Sequence, residues 1–290
     1  MNTNPNESVE AVGAGLLAGA ARCDITPPIG APLLCGFDDV AKSVGDPLFA
    51  RVLYLEDAAT HQAAVIVAID VVGLTRVAHD EIRRVVAQAA SIPLDRVVVN
   101  ASHSHSAPYV VLEIEEIVAA HGYHVVDSTW FRNVVDRVGR TAAQARERRE
   151  DVTISVGDGQ LAELAFNRRL QYVQHADRPR FDKLRRYPLG VTDPELGVLR
   201  LDGANGAPVA IVCSFASHAT VYAPHGVISG SYPGVAMSAL EQEIGDSCVD
   251  VHSRLCWQHF SGTVLAQSLD RRRAGIRPVV CRSRPACAEL

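Results

Sequence analysis

Apolar residues fall along this chain in two spacings, and the change from one to the other outlines a fold. Residues 16–25 and 50–56 read as short strands, separated by the turn-rich TPPIGAP. Residues 63–71 (AAVIVAIDV) form a nearly continuous run of small and β-branched side chains. Residues 75–90 then carry Val77, Ile82, Val85, Val86 and Ala89 at helical intervals, and residues 96–101 (RVVVNA) are a second β-branched run. Both runs are apolar on both faces, as expected of parallel strands covered by helices on each side, so this unit is a βαβ crossover. A second long helix is predicted over 128–149, strands over 152–156, 197–201 and 209–215, and a last helix over 232–244 with Pro233 in its first turn. The pattern predicts an α/β fold, a mixed central β-sheet containing a βαβ crossover and flanked by helices. Ligands in such sheets collect beyond the carboxyl ends of parallel strands. Here those ends are Asp70 and the segment ASHSHSAP.

Composition narrows the partners. The most apolar stretch, residues 63–74, is broken by Asp70, so no run approaches the roughly 18 apolar residues of a membrane helix. A net charge of −5 argues against a nucleic-acid partner, whose affinity would come from neutralising phosphates. The partner expected is a small-molecule or lipid substrate, which the resemblance given below implies. The first dozen residues hold no Lys or Arg, unlike a secretory signal, and residues 1–14 read as a frayed tail. Cys23, Cys35 and Cys213 are widely spaced, in keeping with reduced thiols and a cytoplasmic location.

The charge balance changes sign near residue 245. Residues 246–290 carry 7 basic and 4 acidic side chains, leaving 21 and 29 for residues 1–245. The same last segment holds four of the seven Cys and ends in RRRAGIRPVVCRSRPACAEL, with no sustained helical or strand period. With 26 Arg against only Lys42 and Lys183 the gene is expected to be GC-rich, and an out-of-frame GC-rich message yields Arg, Ala, Pro, Ser and Cys. Residues 15–245 are therefore expected to form the α/β domain, and 246–290 a non-native or disordered extension.

His103 and His105 stand two residues apart, so an extended backbone would project both rings from one face, half of a zinc site. His218 follows the apolar run 209–215 as the pair follows 96–101. Asp70 is placed to join them as a ligand or to orient an imidazole. The competing reading makes these histidines hydrogen-bonded caps of strand ends. GxSxG, HExxH, Walker A and EF-hand patterns are absent from the sequence, and the Gly13-Ala14-Gly15 segment lacks the strand that a dinucleotide fingerprint requires.

Taken in order, AGAARCDITPPIGAPLLCGF, DPLFARVLYLED, VIVAIDVVGL, VVVNASHSHSAP, FNRR, DPELGVLRLD, FASHATV and SGSYPGVAMSALE resemble the N-terminal catalytic region of the neutral/alkaline, non-lysosomal ceramidase family. The resemblance implies a zinc-dependent amidohydrolase that cleaves N-acylsphingosine to a sphingoid base and a fatty acid. It implies that His103 and His218 are metal ligands, that His105 lies beside the metal as a catalytic group, and that Arg168 meets the substrate or its oxyanion. Asp70 and Ser231 would stand behind the ligands, Ser231 where the family often has an acidic residue. A Gly-rich segment of the GxAGDxNP type, followed by Glu and Tyr ligands, is implied beyond residue 245 and is not recognisable there. The alternative reading is therefore an inactive truncated fragment or pseudoenzyme with an incomplete zinc site. A lipid-binding module without turnover is a third, weakened by an aromatic content of 6%.

Overall fold

A computed structural model describes residues 15–34, 39–161, 164, 166–167, 192–220, 225–244, 251–253 and 259–260. In chain order, β1 (Leu16–Asp24) precedes β2 (Ser43–Val44), β3 (Phe49–Asp57), β4 (Ala63–Ile69) and β5 (Gly73–Leu74). Helix α1 (Arg76–Ala90) leads through a short 3₁₀ turn to β6 (Val97–Ala101) and β7 (Tyr109–Val110), then to α2 (Leu112–Ala119) and α3 (Ser128–Glu147). Next come β8 (Glu150–Gln160), β9 (Phe166–Asn167), β10 (Glu195–Gly203), β11 (Pro208–Phe215) and β12 (Val227–Ile228). The last elements are α4 (Ser231–Ile244), β13 (Val251–Ser253) and β14 (His259–Phe260).

The predicted crossover is present. β4 and β6 are parallel neighbours in register from Val65↔Val97 to Ile69↔Ala101, joined through α1. Val65, Val67 and Ile69 turn their side chains into one core with Ile82 and Val86 of α1 and Phe131, Val135 and Val138 of α3. Asp127 starts α3 by accepting hydrogen bonds from the Thr129 and Trp130 amides, both at 2.9 Å. Replacing Asp127 with Ala strands those donors, and urea unfolding should register a loss of about 1 kcal/mol. Gly19 lets α3 lie directly on β1, because a Cβ there would sit 2.1 Å from the Ala145 carbonyl oxygen.

The main sheet has eight strands in the order β13-β11-β10-β8-β1-β3-β4-β6. β11–β13 and β4–β6 are parallel pairs and the others antiparallel. β1 and β8 pair only at Leu17↔Asp151 and Ala18↔Glu150, whereas β8 follows β10 from Val152 to Gln160. β8 is thus a corner between two halves of the sheet, with Ala18, Leu53, Val152, Leu201 and Ala210 packed inside it. The two edge strands, β6 and β13, consequently touch. That curl brings the end of β11 to the end of β6, which a flat sheet in this order could not do.

The two faces of β3 carry different chemistry. Ala50 and Val52 face α1 and α3, while Arg51 between them faces α4 on the opposite side of the sheet. Helix α4 covers β11 through Tyr232 and Met237, and the Tyr232 ring meets Phe215 edge-on at 6.2 Å. Among the described residues, no helix is long and apolar enough to cross a membrane.

Candidate metal centre

The first half of the centre is the loop that leaves β6. The Ser102 amide donates to the Ile69 carbonyl and the His103 amide to the Val71 carbonyl, so the loop is tied to the end of β4 as it leaves the sheet. The expectation of an extended segment fails here. The strand stops at Ala101, and His103 adopts a left-handed backbone with φ 60°. The chain turns at that residue, so the His103 and His105 rings face each other edge-on at 82°, centroids 4.9 Å apart, instead of projecting side by side. Such a backbone costs of order 1–3 kcal/mol in a non-glycine residue and persists only where the surroundings hold it.

The second half is the turn after β11. The Thr220 amide closes onto the His218 carbonyl, and the His105 amide donates to the Ala219 carbonyl at 3.2 Å, joining the two loops directly. His105 Nε2 then lies 3.4 Å from His103 Nε2 and 3.0 Å from His218 Nε2. The ligand atoms of all three fall within 4.8 Å of one another. Two nitrogens bound about 2.05 Å from a tetrahedral zinc would be about 3.3 Å apart, close to the two spacings measured from His105.

The protonation pattern fits as well. His103 Nδ1 lies 2.6 Å from the Val72 carbonyl, which accepts only from a protonated Nδ1, so Nε2 is the nitrogen turned to the cluster. Burial first, and then the neighbouring His103, pushes the His105 imidazole down from 6.5 to about 4, so it is uncharged at neutral pH. Neutral imidazole is the form that binds metal. The buried hydroxyls of Ser102, Ser217 and Thr220, next to or near the histidines in the same loops, have no hydrogen-bond partner among the described residues.

Asp70 lies elsewhere than on an imidazole. Its Oδ2 accepts from the Phe49 amide at 3.0 Å and from Arg51 Nη1 at 3.2 Å, and Arg51 Nε reaches Glu241 Oε1 at 3.0 Å. All three charged groups are buried. Asp70 therefore ties the end of β4 to β3 and, through Arg51 and Glu241, to α4. Ser231 is 1% exposed with φ 56°, at the first position of α4. Arg168, the tail 1–14 and most of 246–290 lie outside the described residues. Sequence reasoning passed over the Val72 and Ala219 carbonyls, which fix His103 and His105, because a backbone acceptor leaves no mark on residue identity.

The family model described as neutral/alkaline non-lysosomal ceramidase, N-terminal, matches residues 16–262. The chain belongs to this family. Its fold is similar to the neutral ceramidase from Pseudomonas aeruginosa, with a TM-score of 0.68 and 20% identity over 85% of this chain. A structure titled as ceramidase complexed with C2 gives 0.67 and 20% over 86%. This chain spans 39% of the length of each of those two. No curated protein matches at a significant level. The family match continues past the change of charge at residue 245 and takes in β13 and β14.

Proposed function

We propose that this protein is a zinc-dependent amidohydrolase of the ceramidase type, cleaving the N-acyl amide of an N-acylsphingosine to a sphingoid base and a fatty acid. The observation that carries the proposal is the convergence of His103, His105 and His218 on one point in a chain of this family. His103 and His218 hold the ion as the resemblance implies. Asp70 is engaged by Phe49 and Arg51, so His105 is the group placed to complete three nitrogen ligands. Zinc in such a site supplies a positive charge that polarises an amide carbonyl and acidifies water toward neutrality.

The protein's own groups do the positioning. The Val72 carbonyl holds the His103 tautomer and the Ala219 carbonyl holds the His105 backbone. Arg168 is carried over from the resemblance as the group that meets the substrate or its oxyanion, where a guanidinium would stabilise the developing negative charge. To test this, purified protein is incubated with N-acylsphingosine and with a short N-acyl amine, and the released amine is measured with and without a chelator. Chelator-sensitive, zinc-restored release is expected. No release from either substrate by a zinc-loaded protein would contradict the proposal.

We infer in addition that the message is out of frame after about codon 245, where the charge balance changes sign. Read one nucleotide later, the codons for Cys256, Trp257 and Gln258 give Ala or Val, then an obligatory Gly, then Asn or Ser. Gly is also permitted at Arg254, so the shifted frame accommodates Gly-x-Ala-Gly-Asn, close to the family's Gly-rich GxAGDxNP segment. Resequencing the gene should place such a segment, followed by a periodic sequence, in the alternative frame. A frame that stays closed or aperiodic would overturn the inference and favour the incomplete-site reading.

A further inference from the structure

We infer that the turn Ser229-Gly230-Ser231-Tyr232, where α4 begins, is the positioning device that sets the distance between His105 and His218; the inference rests on the metal reading proposed above. These two histidines arrive from different halves of the curled sheet, and besides the direct bond from the His105 amide to the Ala219 carbonyl the turn adds a second tie between them. The turn bonds to the neighbours of both. Ser104 Oγ donates to the Ser229 carbonyl at 2.6 Å and the Ser229 amide donates to the Ser106 carbonyl at 3.0 Å, which clasps His105 from both sides. Tyr232 Oη donates at 2.8 Å to the carbonyl of Ser217, the residue before His218.

The turn is itself held rigidly. Its left-handed Ser231 donates its amide to Ser229 Oγ at 3.0 Å, and that hydroxyl donates to Asp46 Oδ2 at 2.6 Å. The Gly45 and Asp46 amides both reach the Ile228 carbonyl. Beneath it, a Cβ on Gly230 would lie 2.8 Å from the Gly234 Cα and 3.7 Å from Asp70 Oδ2, so the first turn of α4 rests against the buried carboxylate. Farther along α4, Glu241 is bound by Arg51 and Arg22. The helix is pinned at both ends, and its first turn is a fixed reference for both loops.

A turn that only packs would change stability when loosened; a positioning turn also changes the metal. Metal sites tolerate distance errors of about 0.2 Å, and outer groups that orient ligands are typically worth 10–100-fold in affinity. Tyr232→Phe keeps the ring against Phe215 and removes only the hydroxyl; Ser104→Ala loosens the other arm. Zinc affinity is measured by chelator competition and ligand geometry by the visible absorption of the Co²⁺-substituted protein. In metal-free protein the imidazole ¹H–¹⁵N signals of His105 and His218 are compared between wild type and variants. The expected result is zinc binding weakened at least about tenfold, with altered Co²⁺ bands. A folded variant with affinity within about twofold of wild type and unchanged bands overturns the inference. If Tyr232→Phe does not fold, Ser104→Ala decides by the same criteria. Should the wild type bind no metal, the zinc reading fails by itself, and the metal-free signals decide this one: displaced in the variants supports the coupling, coincident with wild type overturns it.

Discussion

Replacing His103 and His218 together with alanine is expected to abolish stoichiometric zinc while leaving the protein folded. Structural zinc sites contribute about 10–16 kcal/mol over four ligands, or roughly 2.5–4 kcal/mol for each. Losing two ligands should therefore weaken binding by about 10⁴-fold or more, since each 1.4 kcal/mol is tenfold. The fold should survive, because these rings are only half-buried and stand outside the apolar clusters of the sheet. Circular dichroism would verify the fold, and mass spectrometry of bound metal the loss. Retention of a full equivalent of zinc by the folded double variant would place the ion elsewhere.

The largest stability effect is expected at Arg51. Its guanidinium is buried between Asp70 and Glu241, at 3.2 and 3.0 Å, on the face of β3 that meets α4. Arg51→Ala leaves two buried carboxylates facing each other across the vacated space. Breaking a buried ion pair by removing one partner typically costs about 3–5 kcal/mol, because the remaining charge keeps its desolvation penalty. Urea unfolding should show that loss, against about 1 kcal/mol for the Asp127 cap. A loss within about 1 kcal/mol would mean that the cluster is solvated and does not hold α4 to β3.

Much of this molecule is legible in its sequence where side-chain period and burial coincide. The βαβ unit is an example: Val65, Val67 and Ile69 face one core, and β4, α1 and β6 fall within two residues of their predicted limits. The three histidines stand out because the pair and the single residue each follow an apolar strand. How they meet was not legible. The His103 backbone turns left-handed where an L-residue is ordinarily extended, and the strand order alone would put β6 and β11 far apart. The curl depends on β8 changing partners after two residues with β1, a long-range event without a local signature. Asp70 marked the right strand end, yet its role depends on Arg51, an arginine in the middle of an apolar strand that periodicity alone does not single out. Helix α2 was missed because Leu112–Ala119 is short and its glutamates are used locally, Glu113 bonding the Thr75 hydroxyl and the Val77 amide at the start of α1.

The most direct test of the metal centre is the zinc content of the purified wild-type chain after exhaustive dialysis, measured by mass spectrometry against protein concentration. The account predicts close to one zinc per chain, carried by His103, His105 and His218. A folded chain that retains no zinc and takes none up on titration would contradict it.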